Sequence, residues 1–150
     1  MITVYESIAR NWLPPLLATI DPVHIVIDVE IVPDWQQFGN AGLFNSPNDI
    51  TTPMMGGQEK RTEFKSFYIR RNFVESALPN DFQDRLENEN YMEKLKKVIH
   101  DANLDSAFPN DGREWVSIEV NAGIYPSQKG VGTLGREAFY LCPLRLEYII

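Results

Sequence analysis

Val23, Ile25, Ile27, Val29 and Ile31 take every second position of the stretch 23–32, with His24, Asp28 and Glu30 between them. That alternation is the period of a half-buried strand, and β-branched side chains suit its pleated surface. It recurs at 116–124, where Val116, Ile118, Val120, Ala122 and Ile124 oppose Ser117, Glu119 and Asn121. Two further strands are predicted. Residues 62–71 carry Phe64, Phe67, Tyr68 and Ile69. In 137–149, Leu144, Leu146 and Tyr148 alternate with Arg145 and Glu147. Pro143 has no N–H for a ladder, so the last strand is expected to be an edge, to bulge or to break there.

Sheets with one apolar face need a layer over it. Thr3 and Glu6 have capping-box spacing, and Val4, Ile8, Trp12 and Leu16 follow at helical intervals. Pro14-Pro15 should end or bend this helix near Leu13. Pro79-Asn80-Asp81 opens a second helix, whose stripe is Tyr91, Met92, Leu95, Val98, Ile99 and Ala102. Glu93 and Lys97 form a supporting i,i+4 pair. The order α-β-β-α-β-β predicts an α+β fold: a mainly antiparallel four-stranded sheet packed by the N-terminal helix and one amphipathic helix. A length of 150 residues fits a single domain, 1–150.

The simplest topology pairs 23–32 antiparallel with 62–71 and leaves 33–60 as a long arm between strands 1 and 2. Pro33, Gly39, Gly42, Pro47, Pro53, Gly56 and Gly57 punctuate that arm and no period survives. It is too long for an ordinary connection and too apolar for a spacer in water. One reading orders it against a partner, with Trp35, Phe38, Phe44 and Met54 as anchors, because large apolar side chains dominate contact energies. The other folds it back over its own sheet.

Motifs that could carry chemistry have structural readings. Gly130-Val131-Gly132-Thr133-Leu134-Gly135 spells a dinucleotide fingerprint, but the residues after it alternate like a strand where a helix should open. A glycine-rich loop over 125–135 is expected. Asp28 with Glu63 and Lys65 could suggest a metal-dependent nuclease, yet the spacing is loose and a solvated strand face is the plain alternative. His24 and His100 lie far apart, on a polar strand face and near a helix end. Cys142 reads as a small buried hydrophobe. The carboxylates Asp81, Asp84, Glu87, Glu89, Glu93 and Asp101 alternate with Arg85, Lys94, Lys96 and Lys97, as on a solvated helix face. No catalytic, cofactor-binding or metal-ligating residue is assigned, and no cofactor is expected. Arg70 and Arg71 close a strand, either as its polar end or as an ion pair to another subunit; Arg145 and Glu147 are further inter-subunit candidates.

Lys and Arg number 14 against 21 Asp and Glu, a net charge of −7. Gripping nucleic acid requires phosphate neutralisation, so this balance disfavours it. A single cysteine excludes an internal disulfide. The opening Met-Ile-Thr-Val-Tyr-Glu has neither a basic start nor a long apolar stretch, so no secretory signal or membrane association is expected.

The order of elements, with Phe64-Lys65-Ser66-Phe67-Tyr68-Ile69-Arg70-Arg71-Asn72-Phe73, the helix through Leu95 and Ile99, and Phe139-Tyr140-Leu141-Cys142-Pro143-Leu144-Arg145-Leu146-Glu147-Tyr148, resembles the head–tail joining proteins of tailed bacteriophages. Tail terminators and minor capsid proteins are the nearest likeness, spanning about residues 60–150. The resemblance implies a non-enzymatic virion protein assembled in the host cytoplasm. It implies a homo-oligomeric, typically hexameric ring that caps the tail tube and meets the head connector. DNA would pass through without specific binding. Alternatives are a head-side connector or stopper, a minor capsid protein or, in a different class, a small nuclease-like enzyme.

Overall fold

The structure, a computed structural model, describes residues 2–20, 27–29, 41–46, 49–73, 80–121, 123, 125–132 and 135–150. Thr3 caps the first helix, its hydroxyl oxygen accepting from the Glu6 N–H at 3.1 Å. The helical segment runs through α1 (Val4–Glu6), a π-helical stretch (Ser7–Trp12) and α2 (Leu13–Ile20). The helix does not end at the prolines, but its hydrogen-bond spacing changes at Leu13, where an end or bend is expected. The Leu13 N–H reaches back five residues to the Ile8 carbonyl. This widened spacing carries the helix up to the prolines, which then occupy the first turn of α2, where missing donors are tolerated. Val4, Ile8, Trp12, Leu13 and Leu17 are buried by the packing of this segment.

Among the described residues seven strands form one sheet: β1 (Ile27–Val29), β2 (Ala41–Asn45), β3 (Ile50–Pro53), β4 (Glu59–Phe73), β5 (Glu114–Val120), β6 (Tyr125–Gly132) and β7 (Gly135–Ile149). Its spine is the antiparallel pair β4–β7, in continuous register from Lys60↔Ile149 to Phe73↔Arg136. Two short strands line each outer side of the spine. β2 and β3 pair with β4, while β5 and β6 pair with β7.

The fold is α+β and mostly antiparallel, but strand count and order differ from expectation. The predicted strand 23–32 is described only at Ile27–Val29, and there it pairs parallel with β2 rather than antiparallel with 62–71. The arm 33–60 contributes β2 and β3 to the same sheet. Residues 125–132 are a strand, not a loop, because β7 extends far enough to pair with them down to Gly132↔Gly135. β7 is central rather than an edge. It tolerates Pro143 because β5 pairs only as far as Leu144 and β6 begins at Leu141. The proline thus faces the gap between two strands, and its carbonyl accepts from the Asn121 N–H at 2.7 Å.

α3 (Asn80–Leu104) buries Tyr91, Met92, Leu95, Ile99 and Ala102 of the predicted stripe, with Val98 half-buried. Its exposed ion pairs are Glu93–Lys96 and Lys97–Asp101, in place of the expected Glu93–Lys97. Asn103 ties the helix end to β5 by accepting from the Ile118 N–H at 3.1 Å. Opposite it, β4 and β7 present Phe67, Ile69, Tyr140, Cys142, Leu144 and Leu146 to one shared core. Burial pushes the Cys142 thiol up to about 12, which keeps it an inert apolar group.

Asp111 fastens the N-terminal helical segment to β5. Its side chain is 0% exposed and pairs with the Arg113 guanidinium at 2.7 Å. It also accepts from the Ser7 hydroxyl at 2.6 Å, the Trp115 indole at 3.0 Å and the Arg113 N–H at 3.0 Å. Burial alone would raise its carboxyl, but these donors outweigh burial and hold it below its ordinary value. Asp111→Ala takes the carboxylate from the Arg113 guanidinium, which keeps its bond to the Ile2 carbonyl at 2.7 Å, and should cost about 3 kcal/mol, read from the urea midpoint. Because the folded carboxyl is depressed, its contribution is full above the unfolded value near ~3.9 and fades as pH falls through the folded value. The wild type should therefore lose stability in that acid window, while the variant's profile there is flatter.

Candidate functional site

The β3–β4 hairpin carries Met55, the most exposed large apolar side chain among the described residues. Its register runs from Ile50↔Thr62 to Pro53↔Glu59, and the Met54 N–H donates to the Gln58 carbonyl at 2.8 Å. The tip Met55–Gly57 turns through Gly56 (φ 80°) and Gly57 (φ 79°), which side chains with a Cβ rarely adopt. Ile50 is 53% exposed, Met54 40% and Met55 96%. Among the described residues β3 pairs only with β4. A hydrogen-bonded hairpin thus holds large apolar groups in water, Met54 and Met55 at its tip and Ile50 at its base.

The predicted arm anchors are divided by this arrangement. Met54 stands on the hairpin tip. Phe44 lies in β2, half-buried and edge-on to Tyr68 with ring centroids 5.3 Å apart. Its neighbours Ala41 and Leu43 are fully in the core, so this part of the arm is absorbed by the chain's own sheet. Trp35 and Phe38 lie outside the described residues. Arg70 is buried in β4, and Arg71 follows it opposite Ala138. Arg145 and Glu147 come together on β7. Glu147 is buried, with one oxygen 2.5 Å from the exposed Arg145 and the other 3.1 Å from Lys60.

Beside the base of the hairpin is a polar cleft of about 510 Å³. Its floor is a network that sequence reasoning placed in solvent. The Lys65 side chain is 5% exposed and that of Glu63 16%, with Nζ and Oε1 3.1 Å apart. The Tyr148 hydroxyl donates to the other Glu63 oxygen at 2.5 Å. The solvated-face reading fails because Glu63 and Lys65 share the parity of Phe67 and Ile69, which face the core. Burial, then the Glu63 carboxylate, pushes the Tyr148 phenol up to about 12, so it remains a proton donor at neutral pH. The Arg113 guanidinium lies 5.7 Å from the Tyr148 ring centroid.

Asp28 is not part of this network. It pairs with Gly42, which pairs with Tyr68, and Tyr68 is five positions along β4 from Glu63. That separation is about 16 Å along the strand. Among the described residues no three His, Cys, Asp or Glu side chains gather as a metal site, and no helix is long and apolar enough to cross a membrane. His100 lines a separate groove between α3 and β5, while His24 is outside the described residues. No motif of the sequence singles out Asp111, Arg113 and Trp115. Their alternate spacing was the available sign of a shared face.

The chain matches no protein-family model, and comparison with curated proteins finds no significant match. Tyr148→Phe removes the donor to Glu63 while keeping the ring. It should lower stability by about 1–2 kcal/mol, measured by chemical denaturation, with the native circular dichroism spectrum retained.

Proposed function

We propose that this chain is a non-enzymatic assembly protein of a tailed-phage virion, a tail terminator that forms a ring on the tail tube and meets the head connector. The observation that carries the reading is the hairpin tip. Met54 and Met55 are large, apolar and exposed at the tip, and Ile50 is exposed at the base of the same hairpin, all on a segment fixed by its ladder and two glycines. Exposed apolar groups of this kind mark contact surfaces. The likeness of residues 60–150 to head–tail joining proteins supports the same class.

Strand directions are compatible with a ring. At the hairpin end, β3 and β5 lie on opposite sides of the β4–β7 spine. β3 runs antiparallel to β4 and β5 antiparallel to β7, so β3 of one copy beside β5 of the next would meet antiparallel. Such a head-to-tail contact closes into a ring when its rotation permits. The net charge of −7 suits a lumen through which DNA slides without phosphate contacts.

Serine at positions 50, 54 and 55 tests the reading. Surface changes of this kind should alter stability by about 0.5 kcal/mol or less each. Ile50→Ser/Met54→Ser/Met55→Ser should abolish capping of tail tubes in negative-stain images while thermal melting stays near wild type. Capping at the wild-type level would overturn the assignment.

A further inference from the structure

We propose that Met55 is a site of reversible oxidation, and that its sulfoxide withdraws the hairpin tip from apolar contact. This rests on the reading of the tip as a contact surface and supplies a control for it. Met55 is 96% exposed and Met54 beside it 40%, whereas Met92 lies in the core at 4%. A thioether is oxidised at a lone pair of its sulfur, so a peroxide must reach that atom, and susceptibility follows exposure. Cys142, the other sulfur of the core, is shielded twice. It is fully buried, and burial pushes its thiol up to about 12, so very little of it is the reactive thiolate at neutral pH. Among the described residues, peroxide acting on the folded chain is therefore directed to the tip.

Hydrogen peroxide is the oxidant. Its O–O bond breaks, one oxygen bonds to the Met55 sulfur, and the other leaves as water with both peroxide protons. The sulfur is oxidised by two electrons and the peroxide is reduced by two. The fold is indifferent to this change. The turn is held through its backbone, by the bond from the Met54 N–H to the Gln58 carbonyl and by the positive φ of Gly56 and Gly57. A side chain as exposed as that of Met55 takes almost no part in packing. What changes is the surface. A sulfoxide is polar, and covering it with an apolar partner that offers no hydrogen bond costs free energy. Methionine sulfoxide reductases return the thioether, so the tip regains its apolar character.

Peptide mapping by mass spectrometry, after brief treatment of the full chain with hydrogen peroxide, tests the site. Met55 should gain one oxygen about tenfold or more faster than Met92, with Met54 between them, in the order of exposure. Cys142 should remain a free thiol until denaturant is added. Modification of Met92 or Cys142 as fast as Met55 would overturn the site. Hydrophobic-interaction chromatography tests the withdrawal without tail tubes. The oxidised wild type should elute earlier than the untreated chain with its circular dichroism unchanged, reductase should reverse the shift, and Met55→Leu should lose most of it. Unchanged retention after complete oxidation of Met55 would overturn the withdrawal. Capping of tail tubes is scored on the same samples and should fall on oxidation. Failure of the untreated chain to cap counts against the terminator reading alone, because the mapping and the retention shift are read on the free chain.

Discussion

The fold hangs on the ladder between β4 and β7. Each strand has 15 residues, about 50 Å at ~3.3 Å per residue, far longer than the usual strand. Because side chains alternate, this one register decides which groups enter the core. Phe67, Ile69, Cys142, Leu144 and Leu146 go in together, and a slip of one residue on β7 would exchange Leu144 and Leu146 for Arg145 and Glu147. A long pair also twists, so a single straight neighbour does not follow it. β5 and β6 divide the outer side of β7, each with a register shift, between Trp115 and Ser117 and between Pro126 and Gln128. Bulges of this kind let a short strand follow local twist. Pro143 lies where the two strands leave the ladder open.

Charge enters this interior only in company. From Asp111 the contacts pass to Trp115, whose ring lies 5.3 Å from that of Tyr148, and from Tyr148 to Glu63 and Lys65. The network joins the helical segment at Ser7 to both spine strands. A buried pair adds little net stability over apolar packing, but breaking one side of it is costly. These residues therefore act on which arrangement the layers adopt. A helical segment shifted along the sheet would leave Asp111 without Ser7 and the Trp12 indole without the Ala107 carbonyl, 2.9 Å away.

What the sequence made legible follows from periodicity. The stripe of α3, the alternation of Leu144, Leu146 and Tyr148, the Thr3 cap and the buried Cys142 are local signals that the tertiary structure reinforces. β2 is the opposite case. Ala41-Gly42-Leu43-Phe44-Asn45 has no β-branched residue and two residue types favoured in turns. It is a strand because Ala41 and Leu43 fill the core beside Ile69 and Phe67, a long-range cause that no local window contains. The network of Glu63 and Lys65 was hidden similarly. Their parity placed them inward, but charged residues on a strand read as solvent-facing unless a partner such as Tyr148, 85 residues on, is known.

Tip and cleft belong to the same hairpin. Among the described residues β3 is hydrogen-bonded in the sheet only to β4, so its position depends on few contacts. Arg61, Ile50 and Thr51 line the cleft, while Met54 and Met55 point beyond it. A contact that orders the cleft wall would tether the base of the hairpin and reduce the freedom of the tip. A partner that fixes the tip would, by the same free energy, pre-order the cleft. Any coupling between the two must then be reciprocal, with a sign set by whether the hairpin orientation favoured at the cleft is the one a neighbouring subunit accepts.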